Sequence, residues 1–180
     1  EEIPFTKAAE IGTRKVITDH STIGVVVTSD GSFGDLGRQN YINAEQTAIS
    51  ELKALQKPFI VLLNSVRPYS DETVSLARSL EEEYGVSVMP INCEQLKKED
   101  VYHILEKVLK EFPVVRLDFV IPKWLEILPG THPIKAQVIE GAKQVLSQVG
   151  QMKDVAGGME DIHTDSMKEI RLDRMNMADG

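Results

Sequence analysis

Three short apolar runs, Ile23–Thr28, Phe59–Leu63 and Val86–Ile91, alternate along this chain with segments that have the spacing of amphipathic helices. Apolar runs this short and continuous read as strands covered on both faces. Strands joined in sequence through helices form right-handed crossovers and a parallel sheet. The expected class is therefore α/β, with a parallel sheet in a three-layer arrangement.

Four helices accompany these strands. Phe5 to Ile17 places Phe5, Ala8, Ala9, Gly12 and Val16 on one face. A crossover helix from Tyr41 to Leu55 is expected to bury Tyr41, Ala44, Ala48, Leu52 and Leu55. The next, carrying Val74, Ala77, Leu80 and Tyr84, has Ser70 placed to cap its start and Gly85 to stop it. The fourth, Glu99 to Phe112, carries Val101, Ile104, Leu105, Val108 and Leu109 and ends at Pro113.

The pattern changes near residues 113–116, and a second, α+β region is expected to start there. Leu117, Phe119 and Ile121 alternate with Arg116, Asp118 and Val120, the pattern of a strand with one wetter face. Pro122, Pro129, Gly130 and Pro133 interrupt the chain, and a helix is expected from Pro133 to Val149 with Ile134, Val138, Ala142, Val145 and Val149 on one face. The stretch Gln151 to Gly180 is polar, contains Gly157-Gly158, and carries Met152, Met159, Met167, Met175 and Met177. It reads as a ragged terminus, or as an adaptable Met-rich contact surface.

Ligands of parallel α/β sheets sit beyond the carboxyl ends of the strands. Thr28–Gly31, Asn64–Arg67 and Asn92–Glu94 occupy those places. Asn64 can bond its own backbone as a loop residue, or its amide can contact a nucleotide base. Asn92 and Cys93 end the third strand in the same layer. Gly31, Gly34 and Gly37 do not make a phosphate cradle, because G-x-x-x-x-G-K-[ST] occurs nowhere in the chain. Asp30 is a lone candidate for the acidic pocket of a flavodoxin-like receiver. His20, His103, His132 and His163 have no metal-ligand spacing, and Glu81-Glu82-Glu83 reads as a solvated helix face.

Charge and composition narrow the partners. With 20 basic and 28 acidic side chains the net charge is −8, which repels phosphate backbones and argues against nucleic acid. The longest purely apolar run is Phe59–Leu63, far short of the roughly 20 residues of a membrane span. No basic leader precedes an apolar core, so no secretory signal is expected. Cys93, the single cysteine, has no partner in the chain for a disulfide, which fits a reducing cytoplasm. No Lys, Arg or His adjoins it in sequence to activate its thiol.

The order strand, Asn-containing turn, strand, small-residue turn resembles the later half of a translation-factor-type GTPase domain. The family's Asn-Lys-x-Asp reads here Asn64-Ser65-Val66-Arg67. Ser65 stands for the lysine that packs on the base, and Arg67 for the aspartate that accepts from guanine. Arginine only donates, so guanine selection is expected to fail and adenine to be preferred. Alternatively Arg67, followed by Pro68, points to solvent. IPFTKAAEIGTRKVITDHSTIGVVVTSDGSFGDLGR (Ile3–Arg38), KPFIVLLNSVRPYS (Lys57–Ser70) and VMPINCEQL (Val88–Leu96) resemble the stage IV sporulation protein A family of spore-coat morphogenetic ATPases. The likeness runs through most of residues 1–128.

This resemblance implies a P-loop, GTPase-like ATPase domain over residues 1–113 and the start of a middle domain over 114–180. It implies ATP and Mg as cofactors of the complete protein, and self-assembly on the forespore surface, on the mother-cell side, as the basement layer of the coat. A small amphipathic membrane peptide and other coat proteins are the implied partners. The family's Walker A loop, sensor threonines and Walker B aspartate would precede Glu1, so no catalytic residue is expected within the chain. Asn64, Ser65, Arg67, Asn92 and Cys93 fall on the nucleotide-side turns and are the base-side candidates. The competing reading is a nucleotide-free assembly module with a degenerate domain of the same kind.

Overall fold

A computed structural model describes residues 5–157 and 172–176 of the chain. Two compact units emerge, Glu1–Val108 and Leu109–Gly180. The first runs α1 (Phe5–His20), β1 (Gly24–Ser29), α2 (Gln39–Ala54), β2 (Phe59–Asn64), α3 (Asp71–Tyr84) and β3 (Val88–Ile91). A short 3-10 turn (Cys93–Gln95) and most of α4 (Lys98–Lys110) follow.

The three strands form one parallel sheet in the order β1-β2-β3, with Val26 opposite Val61 and Val61 opposite Val88. Each crossover advances one strand in the same direction. Right-handed connections of that kind put both helices, α2 and α3, on one face. The core lies there: Val26, Phe59, Val61, Leu63 and Val88 pack with Ile49 and Leu52 of α2 and Ala77, Leu80 and Tyr84 of α3. Each large side chain fully withdrawn from water contributes about 1.5–3 kcal/mol before chain entropy is charged against it.

The opposite face departs from expectation. Ile60 and Leu62 are buried, but Val25 is 44% exposed and Val27 60% exposed. β1 is thus covered on one face, not two, and it forms an edge of the sheet. Gly24 donates to Pro58 O and Asp30 to Asn64 O, so the even-numbered residues of β1 turn their backbone groups toward β2. Val25 and Val27 turn theirs to the open edge. Continuous valines identify a strand here but do not say which of its faces this chain covers.

Helix α3 starts and stops where its sequence specifies. Ser70 is extended and accepts from Thr73 N, and Gly85 at φ 63° takes the left-handed conformation that closes the helix. The helix buries Thr73 in addition to Ala77, Leu80 and Tyr84, while Val74 is exposed. In α2 the buried face is Glu45, Ile49 and Leu52. Tyr41, Leu55 and Ala48 are half-buried and Ala44 is exposed, so the expected face is rotated. A buried glutamate, invisible to apolar periodicity, causes the difference. The side chains of Phe5, Ala8 and Ala9 lie outside the described residues, and Val16 of α1 is exposed. On α4 only Val108 is buried; Val101, Leu105 and Leu109 are exposed.

The second unit contains α5 (Lys123–Ile127), α6 (Pro133–Gln148) and α7 (Asp154–Gly157). Proline opens α6, and Ile134, Val138, Ala142 and Val145 are on its less exposed side. The expected strand at Leu117–Ile121 is absent: the segment is irregular, and Phe119 and Val120 are exposed. Alternation needs a neighbouring strand to satisfy the backbone, and none pairs with it among the described residues. Gln151 bridges Pro113, Met152 N donates to Phe112 O, and Lys153 Nζ meets the buried Glu111 carboxylate at 2.7 Å. Gln151–Val155 is therefore not the ragged terminus expected there, with Met152 and Val155 buried. Met159, Met167 and Met177 lie outside the described residues.

Candidate functional site at the carboxyl edge of the sheet

The parallel register brings three strand ends level, Ser29 beside Asn64 and Asn64 beside Ile91. Hydrogen bonds then lace the turns that follow. Asp30 N donates to Asn64 O at 3.2 Å and Ser65 N to Ile91 O at 2.8 Å. Cys93 N donates to Asn64 Oδ1 at 2.9 Å. Asn64 and Cys93 are therefore joined directly, and the amide nitrogen of Asn64 is left as the group that can face a ligand.

The other three sequence candidates are placed differently. Ser65 is enclosed, with 1% of its surface exposed. Its hydroxyl accepts from Arg67 N at 3.0 Å and lies 3.2 Å from Thr73 Oγ1, so it builds the turn from inside. Asn92 Oδ1 accepts from Glu94 N and caps the short 3-10 turn. Arg67 is exposed, and its carbonyl accepts from Ser70 N. Burial raises the Cys93 thiol above its ordinary pKa, the opposite of activation.

Sequence reasoning named Asp30 but not the hydrogen-bonded cluster around it, and it missed a second polar cluster altogether. Asp30 accepts from Ser32 N at 2.8 Å, Ser32 Oγ at 2.5 Å and Thr73 Oγ1 at 3.4 Å. Burial pushes this carboxyl up, but the hydrogen bonds from Ser32, Ser65 and Thr73 outweigh it and leave it below its usual value. No group of three or more His, Cys, Asp or Glu able to hold a metal occurs among the described residues. The Asp-Gly-Ser sequence directly after a strand is the local signal of such a turn.

The second cluster is buried beneath the loop after β1. Arg38 grips Glu45 with both terminal nitrogens, at 2.6 and 2.7 Å. The same guanidinium donates to Thr28 Oγ1 at 3.0 Å and Ser29 O at 3.3 Å. Tyr84 adds its hydroxyl to Glu45 Oε1 at 2.7 Å. Burial raises the Glu45 carboxyl, yet donors from Arg38, Thr28 and Tyr84 bring it below its ordinary value. Burial and the Glu45 acceptor push Tyr84 up to about 12. Gly31, at φ 87°, completes the loop: a Cβ there would stand 2.6 Å from Arg38 N. Glu45 at four and seven positions before Ile49 and Leu52, on one helical face, was the available sign.

Comparison with known proteins assigns both parts of the chain. Residues 1–113 match the family described as Stage IV sporulation protein A, ATPase domain, and residues 114–180 match its middle domain. A Stage IV sporulation protein A of Clostridioides difficile (strain 630) is 40% identical over 181 residues, covering 100% of this chain and 37% of the relative. Those of Bacillus subtilis (strain 168) and Bacillus anthracis are 44% and 43% identical over 155 residues, covering 86% of this chain and 32% of each relative. The chain thus spans about a third of the length of the curated relatives it matches. No solved structure matches it. Among the described residues no helix is long and apolar enough to cross a membrane. With both domain matches meeting at residue 113 and these identities over most of its length, the chain belongs to the stage IV sporulation protein A family.

Proposed function

We propose that residues 1–113 are the base-side part of a P-loop, GTPase-like ATPase domain, and residues 114–180 the start of a middle domain, in a spore-coat morphogenetic ATPase. In this reading the complete protein hydrolyses ATP with Mg and polymerises on the forespore surface as the basement layer of the coat. It works on the mother-cell side, with an amphipathic membrane peptide and other coat proteins as partners. The carrying observation is the ATPase-domain match over 1–113, supported by a parallel sheet whose Asn64 and Cys93 turns are hydrogen-bonded at its carboxyl edge. The open edge of β1 is where the strand leading to the phosphate loop would pair.

The residues present fit one end of the nucleotide. The Asn64 amide offers a donor to the base, and the Asn64–Arg67 and Asn92–Cys93 turns frame its surroundings. The phosphate cradle G-x-x-x-x-G-K-[ST] does not occur in its sequence. When bound, Mg-ATP would supply the phosphoanhydride that is cleaved; this chain's residues would hold the base. Residues 1–180 alone are accordingly expected to bind Mg-ATP more weakly than micromolar and not to hydrolyse it. Isothermal titration tests this, and a micromolar dissociation constant would refute it.

In the complete protein, ATP is expected to compete better than GTP. Arg67, a donor only, leaves guanine's N1 and N2 donors without acceptors, a loss of about 1–3 kcal/mol per group, or roughly tenfold to a hundredfold. Arg67→Asp is the clean test, since its side chain is exposed. Ser65→Lys is not, because the enclosed Ser65 site has no room for a lysine. The expected result is a smaller ATP preference in Arg67→Asp; an unchanged ratio would leave Arg67 a surface residue. A nucleotide-free assembly module is the second reading, favoured by the internal hydrogen bonds that engage Ser65 and Asn92. Absence of ATP hydrolysis by the complete protein would select it.

A further inference from the structure

We propose that Asp30 and Ser32 are positioning residues, holding the Asn64–Arg67 turn in the conformation that meets the base; the inference rests on the base-side reading above. The start of the turn is secured by Ser65 N to Ile91 O and by Cys93 N to Asn64 Oδ1. The Val66 amide comes next in the chain. It donates to Ser32 Oγ at 2.9 Å, across to the loop after β1.

Ser32 can accept there because of where its own proton goes. A hydroxyl has one proton, and the Ser32 proton is directed to Asp30 Oδ1 at 2.5 Å, which turns the oxygen lone pairs toward Val66. Asp30 is itself held on three sides. Its amide donates to Asn64 O, its Oδ1 accepts from Ser32 N at 2.8 Å, and its Oδ2 accepts from Thr73 Oγ1 at 3.4 Å. Thr73 then closes the circuit through Ser65 Oγ at 3.2 Å. One carboxylate therefore fixes the turn from both sides, through Ser32 at its exposed tip and through Thr73 at its buried root.

Ser32 and Val66 are both exposed, so their bond is not needed to fill or satisfy the core. Its effect is confined to the shape of the turn, and a binding measurement can separate it from folding. The full-length protein is the material. Ser32→Ala is expected to raise KM for ATP about threefold to tenfold, the scale of one hydrogen bond, with kcat within about twofold. Hydrogen exchange at Val66 is expected to quicken, and Ser32→Thr, which keeps the hydroxyl, to restore both readouts. Asp30→Ala should act in the same direction and more strongly. Asn64→Ala separates the two ideas. If it raises KM while Ser32→Ala does not, the base-side reading stands and the positioning role is overturned. If neither changes KM, the base-side reading fails and takes the positioning role with it.

Discussion

Replacing Arg38 by methionine is expected to destabilise the first unit by about 3–5 kcal/mol, the usual cost of leaving one charge of a buried pair without its partner. Glu45 keeps only 3% of its surface exposed and is wrapped by three donors, of which Arg38 alone is cationic. Without it the carboxylate stays buried against Tyr84 and Thr28 or takes up a proton. The pair also joins the end of β1 to α2, through Thr28 Oγ1 and Ser29 O. Urea unfolding read by amide exchange within Phe59–Asn64 reports this unit separately from the other. Arg38→Met with Glu45→Leu should recover most of the loss, since a well-packed apolar pair often equals a buried ion pair. A single variant within about 1 kcal/mol of wild type would show that the pair contributes little beyond what water offers it.

The same cluster gives the pH profile its shape. Glu45 and Asp30 both lie below their ordinary values in the folded chain. A depressed carboxyl stabilises the fold at pH above its unfolded value, 4.5 for Glu45 and 3.8 for Asp30, and that stability disappears as pH falls through the folded value. Tyr84 has the opposite sense: its protonated form is favoured, and its contribution is lost as pH rises from 10 toward about 12. Stability should therefore decline on both sides, and Arg38→Met should flatten the acid limb.

Leu63→Ala is expected to cost the first unit about 2–5 kcal/mol, the range for emptying a fully buried leucine site. Leu63 is at 0% exposure on the central strand, in the cluster shared by α2 and α3, and directly precedes Asn64. Neighbours on both sides are held by parallel strands, so the site has little freedom to collapse. Denaturant midpoints of wild type and variant decide it; a loss below about 1 kcal/mol would mean that the helices close over the gap.

Much of this fold was legible because the parallel strands are continuous apolar runs and the caps of α3 are local. Ser70 and Gly85 act within a few residues of themselves, so sequence alone suffices for them. Faces were harder. α2 turns on Glu45, whose burial depends on Arg38 and Tyr84, seven and 39 positions away. The strand expected at Leu117–Ile121 failed because alternation describes a side-chain pattern, whereas a strand also needs a neighbour for its backbone. At the site, sequence found the turns but not the orientation of their side chains. Ser65 belongs to the interior through Thr73, and Asp30 became a hub through Ser32 and Thr73. Such long-range hydrogen bonds leave no periodic trace.

Because each strand pairs with the one made just before it, β2 with β1 and β3 with β2, the sheet can be assembled in the order of synthesis. A nascent chain that has emerged as far as Ile91 already holds every strand of the described sheet and both helices that cover its core face. No strand waits on a later one, so loop closure spans only one crossover at a time. On the ribosome the β1–α2–β2 unit therefore takes up α3 and β3 in the order in which they appear, before the second unit has been translated.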